Sequence, residues 1–270
     1  SPYVRKGLGL TRRVRRHARV IGGVTHIRAI GGDRVRNVAY RCGDRSASID
    51  VEGLFLHQGV VPNVNMASAA GCEMAWDDVQ LCWKPVVDAW GRSSLQGISI
   101  AGDGAGINGA EAAVHLGRLC GLDAAFGLGR ISESERDAAA ASTRKALGRH
   151  VQGRRFLDLM FQPSEAFRLP APETIVCRCE EVTSGQIADA LEDFGDVGPN
   201  QLKSYLRCGM GPCQGRLCGL TVSEMIAAAR GLSPADVGYY RLRFPVKPIT
   251  VAELASLPHQ EDDVRAVVRE

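Results

Sequence analysis

Five of the nine cysteines are crowded into two short segments near the C-terminal end of the chain. The first segment, VCRCEE (176–181), holds Cys177 and Cys179, and the second, RCGMGPCQGRLCG (207–219), holds the other three. In a reducing compartment such crowding indicates metal binding more often than a disulfide framework, and the odd total of cysteines agrees with this. The chain must therefore fold so that two separate segments bring their thiols to one place.

The spacing of these cysteines limits the metal centres that they could bind. Four thiolates suit either zinc or an iron–sulfur cluster, but structural zinc sites usually use C-x2-4-C pairs. Cys177 and Cys179 are one residue apart, and such a pair can reach one iron of a binuclear cluster from a single loop. Gly209, Gly211 and Gly215 allow the second segment to curl and to direct its amides at sulfide. The spacing favours an iron–sulfur centre, with structural zinc and redox-active thiols as the alternatives.

A second informative stretch is IAGDGAGINGAEAA (100–113). A buried strand that ends in Gly102 and Asp103, and is followed by glycines and a small-residue helix, suits a dinucleotide site. Asp103 can accept a hydrogen bond from a ribityl hydroxyl, and the amides of Gly109 and Ala110 can face a phosphate or the polar edge of a flavin. By itself the pattern also fits an ordinary glycine turn after a strand. These four residues are the candidate cofactor-binding residues.

The sequence of the N-terminal two thirds of the chain predicts alternating strands and helices. Residues 17–61 are rich in Val and Ile and predict short strands, with turns at Gly31-Gly32-Asp33 and Gly43-Asp44. Further predicted elements are a strand at 50–63, a buried strand at 97–106, a helix at 108–129, and a helix at 131–161 opened by a Ser132–Glu135 capping box.

The C-terminal third predicts short helices. PSEAFRLPAPE (163–173) has three prolines and no periodicity, so it is the best linker in the chain. Beyond it, Thr183 and Gln186 predict a capping box, with Gly195 as the stop signal of that helix. A further helix is predicted at 220–231, and the proline-rich tail at 236–270 is predicted to dock on a neighbour.

Composition and charge exclude some classes of function. The net charge is +3 with mixed signs, which gives no case for a nucleic-acid binder. The arginine-rich TRRVRRHARV (11–20) lacks interleaved aromatic residues, so we interpret it as a solvated face or a docking surface. No apolar run approaches the length of a membrane span. We predict a cytoplasmic protein, with peripheral association at the inner face of the membrane as an alternative.

The histidines do not suggest an acid–base site. None pairs with a nearby carboxylate or serine in a recognisable motif, so each is interpreted as a surface or structural residue. The six are His17, His26, His57, His115, His150 and His259.

The order of C-x-C, a helix and then GMGPCQGRLC resembles the bacterioferritin-associated ferredoxin (BFD) type of [2Fe–2S] domain. The stretches CRCEEVT, NQLKSYLRCGMGPCQGRLCG and RFPVKPIT are similar to the C-terminal end of one flavoprotein group. That group comprises one subunit each of opine oxidase, D-hydroxyproline dehydrogenase (its alpha subunit) and hydrogen cyanide synthase. The similarity extends from residue 50 or so to the end of the chain.

The resemblance implies an α/β fold class. It consists of a partial two-dinucleotide-binding, glutathione-reductase-like flavoprotein domain followed by a small helical [2Fe–2S] domain. The implied domains are 1–162 for the partial FAD/NAD(P)-binding part, 163–173 for the linker, 174–235 for the [2Fe–2S] domain and 236–270 for the docking tail.

The resemblance also implies which thiols are ligands. The smaller ferredoxin domains carry G-x-G immediately before a C-x-x-C pair, which places Gly209-Met210-Gly211 ahead of Cys213 and Cys218. The implied metal ligands are thus Cys177, Cys179, Cys213 and Cys218. Cys208 is then a buried neighbour, and the alternative is that Cys208 replaces Cys218 as a ligand.

For the flavin half, the resemblance implies FAD bound with the help of the 100–113 stretch. VEGLFLHQGVVPN is similar to a motif that normally ends in A-T-G-x-x-P-N, with His57-Gln58-Gly59 in place of Ala-Thr-Gly. No strand–G-x-G-x-x-G–helix unit of the kind that holds the ADP part of FAD precedes the predicted strands at the start of this sequence. Because the chain also opens with Ser1, we expect it to be a fragment or a processed product.

The function implied is that of an electron-transfer subunit in a heteromeric flavin-dependent oxidoreductase. Such an enzyme oxidises the C–N bond of an opine, an amino acid or an imino acid, and passes electrons through FAD and the [2Fe–2S] cluster. The implied partners are a flavoprotein subunit that oxidises the substrate and, optionally, a small ferredoxin-like protein. A zinc-stabilised interaction module without redox activity is the alternative. An NAD(P)H-dependent disulfide reductase is disfavoured, because the C-x4-C pairs lie after the linker instead of in a first FAD helix.

Overall fold

The computed structural model describes residues 2–258 and 260–263. His259, one of the histidines considered above, lies outside these ranges, as do residues 264–270 of the predicted docking tail. The chain divides into two compact units, one up to Gln58 and one from Gly59 onward. Among the described residues, no helix combines the length and the apolar character that crossing a membrane would require.

The first unit consists of one basic helix and an antiparallel meander. Its β-strands follow each other in the sheet order β1-β2-β3, and the predicted turns at Gly31-Gly32-Asp33 and Gly43-Asp44 are confirmed. Gly43 has a φ of 56°, which a residue with a side chain rarely adopts. The elements are α1 (Pro2–His17), β1 (Val24–Gly31), β2 (Val35–Cys42) and β3 (Arg45–Asp50).

Residues 11–17 of the arginine-rich stretch form the C-terminal part of α1, and residues 18–20 follow the helix. The residues from Arg5 to His17 are exposed, and Arg15, Arg16 and His17 occupy the last turn, where positive charge is favourable beside the negative end of the helix dipole. The interpretation as a solvated face or a docking surface is consistent with this exposure.

Two predicted strands are wrong. Residues 52–64 are irregular, and 97–106 contains only a single bridge between Arg92 and Ser99 before a 3₁₀ turn at Gly102–Ala105. A β-strand requires a neighbouring strand for its backbone groups. Here Ile100 instead donates its backbone N–H to the carbonyl oxygen of Gly91, at 2.8 Å, so a loop takes the place of a sheet partner.

The second unit begins with a short helix, a two-stranded hairpin and a pair of long helices that pack together. The predicted helix at 108–129 and the Ser132–Glu135 capping box are confirmed. The predicted helix at 131–161 is divided, because Gly153 takes a left-handed conformation with a φ of 81°. The elements are α2 (Asn65–Ala70), β4 (Met74–Asp77), β5 (Cys82–Pro85), α3 (Ala110–Gly127), α4 (Glu133–Val151) and α5 (Arg154–Met160).

The C-terminal part is a small helical assembly around one apolar core. The Thr183–Gln186 capping box and the glycine stop at Gly195 are confirmed. Ile187, Leu202 and Ile226 are completely buried at the centre. The elements are α6 (Glu165–Arg168), β6 (Ile175–Cys177), β7 (Val182–Thr183), α7 (Ser184–Phe194), α8 (Pro199–Leu206), α9 (Gly219–Arg230), α10 (Pro234–Val237) and α11 (Val251–Ala255).

An ion pair attaches the proline-rich segment 163–173 to this helical assembly. Arg168 in α6 donates a 2.8 Å hydrogen bond to the carboxylate of Glu224 in α9, which is 4% exposed. Burial raises the pKa of Glu224, and the Arg168 guanidinium opposes this shift. The ion pair therefore fixes the segment against the helical core.

A buried ionic cluster joins α3 and α4. The side chains of Arg136 and Asp123 are both almost fully buried, and Nη1 of Arg136 lies 3.5 Å from Oδ1 of Asp123. The Arg136 guanidinium also stacks on Trp90 at 4.3 Å and on Phe126 at 4.5 Å. Arg92 adds two hydrogen bonds to the same Asp123 carboxylate. The carboxylate of Asp123 and the two aromatic rings therefore compensate the buried positive charge of Arg136.

Removing the buried carboxylate should destabilise the second unit. Asp123→Ala leaves Arg136 without its buried partner, so the free energy of unfolding should fall by about 3–5 kcal/mol, as measured by urea denaturation. Asp137→Ala is a matched control, since Asp137 binds the same guanidinium at 2.8 Å but is 55% exposed. The control should cost less than about 1 kcal/mol. Equal losses in the two variants would contradict the account.

Candidate metal centre

The first pair of cysteines is presented by a tight hairpin. Cys177 ends β6, where it pairs with Val182 of β7, and Cys179 lies in the connecting turn. Glu181 has a φ of 55°, the left-handed backbone that reverses the chain before β7. The capping box at Thr183 then starts α7 directly after the hairpin. The turn is therefore held between a strand pair and a capped helix.

The other three cysteines lie on the loop between α8 and α9. Arg207 ends α8 in a left-handed conformation with a φ of 60°, and Cys208 follows it directly. Positive φ angles recur at Gly209, Gln214 and Gly215, and the loop ends at Cys218, which precedes the first residue of α9. The repeated left-handed residues coil the loop, in which Cys208 and Cys218 are buried and Cys213 is partly exposed.

The two segments bring three buried thiols together. The sulfur atoms of Cys177, Cys208 and Cys218 lie within 4.8 Å of one another, and all three residues are buried. Cys179 and Cys213 are partly exposed, and each affects the pKa of the other. The structure thus groups the completely buried Cys208 with two of the four predicted ligands, Cys177 and Cys218, whereas Cys179 and Cys213 are outside this group of three.

The donor set fits a thiolate-bound centre. In the part of the chain that the structure describes, the group of three buried thiols contains no histidine or carboxylate. Soft sulfur ligands suit iron–sulfur clusters and zinc, whereas they do not suit magnesium or calcium. The residues therefore fit a [2Fe–2S] cluster, with two thiolates available for each iron.

The thiols differ in how easily they ionise. Burial raises the pKa of Cys213, but the backbone amides of Leu217 and Gly215 and the thiol of Cys179 outweigh it, so the pKa is lowered overall. The pKa of Cys218 is strongly raised by its contact with Cys208 and by burial. Metal binding requires thiolates.

Two tyrosines cover the loop. The ring of Tyr240, which is 2% exposed, packs against Gly209 and Gly215, where an added Cβ would lie 2.6 Å from it. The Tyr240 hydroxyl is 3.9 Å from the sulfur of Cys218, and the Tyr239 hydroxyl donates to the backbone oxygen of Gly215. These rings keep water away from the buried side of the thiols.

One residue far away in the sequence holds this loop in place. The side-chain amide of Asn65, at the start of α2, donates a 2.9 Å hydrogen bond to the backbone oxygen of Gln214. Gln214 is next to Cys213 and has a φ of 51°, and its own side chain donates to the carbonyl oxygens of Met210 and Gly211. Asn65, which lies in the part of the chain that resembles a flavoprotein, therefore contacts the cysteine loop directly.

The candidate nucleotide residues lie together at the start of α3. Gly102 and Asp103 form the 3₁₀ turn, and Gly109 and Ala110 begin the helix. Among the described residues, no side chain caps the α3 N-terminus, and Asp103 is exposed. The helix amides and the carboxylate are therefore free to meet a ligand, as the sequence predicts for a flavin or its phosphate.

Sequence reasoning missed three supporting residues. Gln80 binds both the N–H and the carbonyl oxygen of Ile107, at 3.1 and 2.8 Å, and so fixes the loop before α3. Asn65 and Tyr240 support the cysteine loop. The only sequence signal is that Asn65 closely follows the V-P-N motif and Tyr240 precedes RFPVKPIT; their contacts depend on the fold.

Comparison with known proteins supports the two halves of this description. Residues 175–228 match the family described as the BFD-like [2Fe–2S] binding domain, which confirms the predicted iron–sulfur domain. The chain is 49% identical to an opine oxidase subunit of Agrobacterium tumefaciens (strain Ach5), over 99% of this chain and 53% of that protein. It is 31% identical to hydrogen cyanide synthase subunit HcnB of Pseudomonas aeruginosa, over 79% of this chain and 46% of that protein. The predicted resemblance is confirmed.

A solved structure shares the fold. The crystal structure of L-proline dehydrogenase from P. horikoshii aligns with a TM-score of 0.69, covering 91% of this chain and 47% of that one, at 20% identity. The predicted fold class, a partial flavoprotein domain followed by a small [2Fe–2S] domain, is confirmed. The chain spans about half the length of the curated relatives it matches.

Loss of the Asn65 hydrogen bond should loosen the cysteine loop. Asn65→Ala removes the donor to Gln214, which is worth about 1 kcal/mol, so reconstituted protein should release iron to a chelator roughly five- to tenfold faster. Met66→Ala is the control, because Met66 is the next residue of α2 and is 61% exposed. Equal release rates for Asn65→Ala and the wild type would contradict a positioning role.

Adding a methyl group at Gly211 should prevent assembly of the centre. A Cβ there would overlap the Cβ of Cys179 and lie 3.2 Å from its sulfur. Gly211→Ala should therefore lose most of its iron on reconstitution, as measured by iron and sulfide analysis. Gly148→Ala serves as the control, since a Cβ at Gly148 meets nothing within 4 Å. A fully loaded Gly211→Ala protein would show that the hairpin and the loop need not approach so closely.

Proposed function

We propose that this chain is part of the electron-transfer subunit of a heteromeric, flavin-dependent oxidoreductase that oxidises the C–N bond of an opine, amino acid or imino acid. The observation that carries the proposal is the convergence of three buried thiols, Cys177 from the 175–183 hairpin and Cys208 and Cys218 from the 208–218 loop, inside the segment that matches the BFD-like domain. The names of the relatives supply the class of substrate.

In this function the cysteines hold a [2Fe–2S] cluster, which supplies one-electron transfer when it is bound. We assign Cys177, Cys179, Cys213 and Cys218 as the ligands. Cys179 and Cys213 are partly exposed, and each affects the pKa of the other. Cys177 and Cys218 lie on the buried side, where the Tyr240 hydroxyl is close to Cys218. Cys208 remains a buried neighbour of these two.

The remaining parts of the chain position a nucleotide and a partner. Gly102, Asp103, Gly109 and Ala110 would hold part of FAD at the start of α3. Functionally we divide the chain as 1–162, 163–173, 174–235 and 236–270. A flavoprotein subunit that oxidises the substrate, with a small ferredoxin-like protein as an optional component, would complete a cytoplasmic enzyme.

A zinc-stabilised module is the competing function. The three buried sulfurs within 4.8 Å of one another are close enough to share one metal ion, and zinc also takes thiolate ligands. The two functions differ in the metal that the protein carries after purification under anaerobic conditions.

Spectroscopy of the purified protein tests the proposal. Anaerobic protein should be brown, contain two iron and two sulfide per chain, and give an electron paramagnetic resonance (EPR) signal of a [2Fe–2S] cluster after dithionite reduction. Colourless protein with one equivalent of zinc would contradict the electron-transfer function and support the zinc module.

Single serine variants test the ligand assignment. Cys208→Ser should keep the EPR signal with a shifted reduction potential, because a buried neighbour of the ligands has changed. Cys177→Ser, Cys179→Ser, Cys213→Ser and Cys218→Ser should each lose the signal or change its line shape. If Cys208→Ser lost the cluster while Cys218→Ser retained it, Cys208 would replace Cys218 as the ligand. Cys82→Ser, a buried cysteine outside the cluster, is the control.

A further inference from the structure

A wide groove opens beside the partly exposed pair of cysteines. Its volume is about 990 Å³, and its wall includes Glu180, Pro212 and Gln214, which are sequence neighbours of Cys179 and Cys213. The other side of the thiol cluster is buried beneath Tyr240 and the helical core. The groove therefore lies next to the residues that flank the two partly exposed cysteines.

The groove is strongly basic. Four cationic side chains line it: Lys203, Arg241, Arg243 and Lys247. Within residues 2–258 and 260–263, no carboxylate lies within ion-pair distance of any of these four. The one acidic residue of the wall, Glu180, is already paired with Arg207 at 2.9 Å.

Exposed apolar groups accompany these charges. Met210 is 43% exposed and Phe244 is 57% exposed, and both line the groove. Arg, Met and aromatic residues are enriched where proteins bind one another. A site for a small phosphate compound would instead be expected to surround the anion with buried donors. Arg241, Arg243 and Lys247 are all exposed.

We propose that this groove docks an acidic protein surface, that of the redox partner which exchanges electrons with the cluster. The inference rests on the proposed function for its redox role, whereas the docking itself rests on the charge and shape of the groove. Electrons tunnel efficiently only over short distances, so a partner must approach where the centre is least covered. Complementary charge guides such brief encounters and raises their association rate by one to three orders of magnitude.

Two haem proteins of opposite charge serve as probes. Acidic cytochrome b5 should bind the full chain in calorimetric titrations at low ionic strength, and basic cytochrome c should not. In stopped-flow experiments one electron should pass from the dithionite-reduced cluster to the ferric haem of cytochrome b5, at a rate that falls steeply with added salt.

Charge reversal separates the groove from the rest of the surface. Arg241→Glu/Arg243→Glu should lower the association rate with cytochrome b5 at least tenfold at low salt and increase transfer to cytochrome c. Lys145→Glu/Arg149→Glu changes the charge by the same amount on the exposed face of α4 and should leave both rates within about twofold of the wild type.

The outcomes distinguish the two proposals. Binding of cytochrome b5 needs no cluster, so protein that binds it through the groove but lacks the EPR signal would contradict the proposed function alone. Equal effects of the two double variants, or binding that does not depend on salt, would overturn the docking surface. A phosphate-bearing small molecule that co-purifies with the wild type and is lost in Arg241→Glu/Arg243→Glu would also overturn it.

Discussion

The contact between the β6–β7 hairpin and the 208–218 loop is the constraint on which the rest of the C-terminal structure depends. It places two groups of thiols together although the segments are separated by α7 and α8. Among the described residues of the second unit, four that are not glycine adopt positive φ angles, and three of them, Glu181, Arg207 and Gln214, lie in or next to these two segments. Such backbone conformations persist only when neighbouring contacts hold them. The small helical core supplies those contacts.

The polar groups around the loop are arranged so that burial does not leave them unsatisfied. Arg216, in the cysteine loop, donates a 2.8 Å hydrogen bond to the backbone oxygen of Val246, and Ser223, in α9, donates one of 2.9 Å to that of Gly238. These two bonds attach the chain after α10 to the loop and to α9. Tyr240 is brought over Cys218 by the same segment. Lower access to water and fixed hydrogen bonds are the means by which a protein adjusts an iron–sulfur potential.

Local signals in the sequence predicted local structure well. The capping boxes at Ser132 and Thr183 form as expected, and the glycine turns of the meander are where the pattern placed them. The strands predicted at 50–63 and 97–106 do not form, because β-propensity is effective only when a neighbouring strand is available. The predicted single helix at 131–161 is interrupted because Gly153 takes a left-handed conformation.

By itself the sequence determined that the centre is bound by thiolates. The spacing of the cysteines limits the metals that they can bind, and the glycines between them limit the conformations of the loop. It also determined the small helical character of the C-terminal part. Only the tertiary structure decided that Asn65 supports Gln214 from 149 residues away. It also decided that Cys208 is buried beside Cys177 and Cys218, and that four cations line the groove next to the neighbours of Cys179 and Cys213. Contacts between distant segments depend on how the elements pack, and neither periodicity nor spacing along the chain encodes that packing.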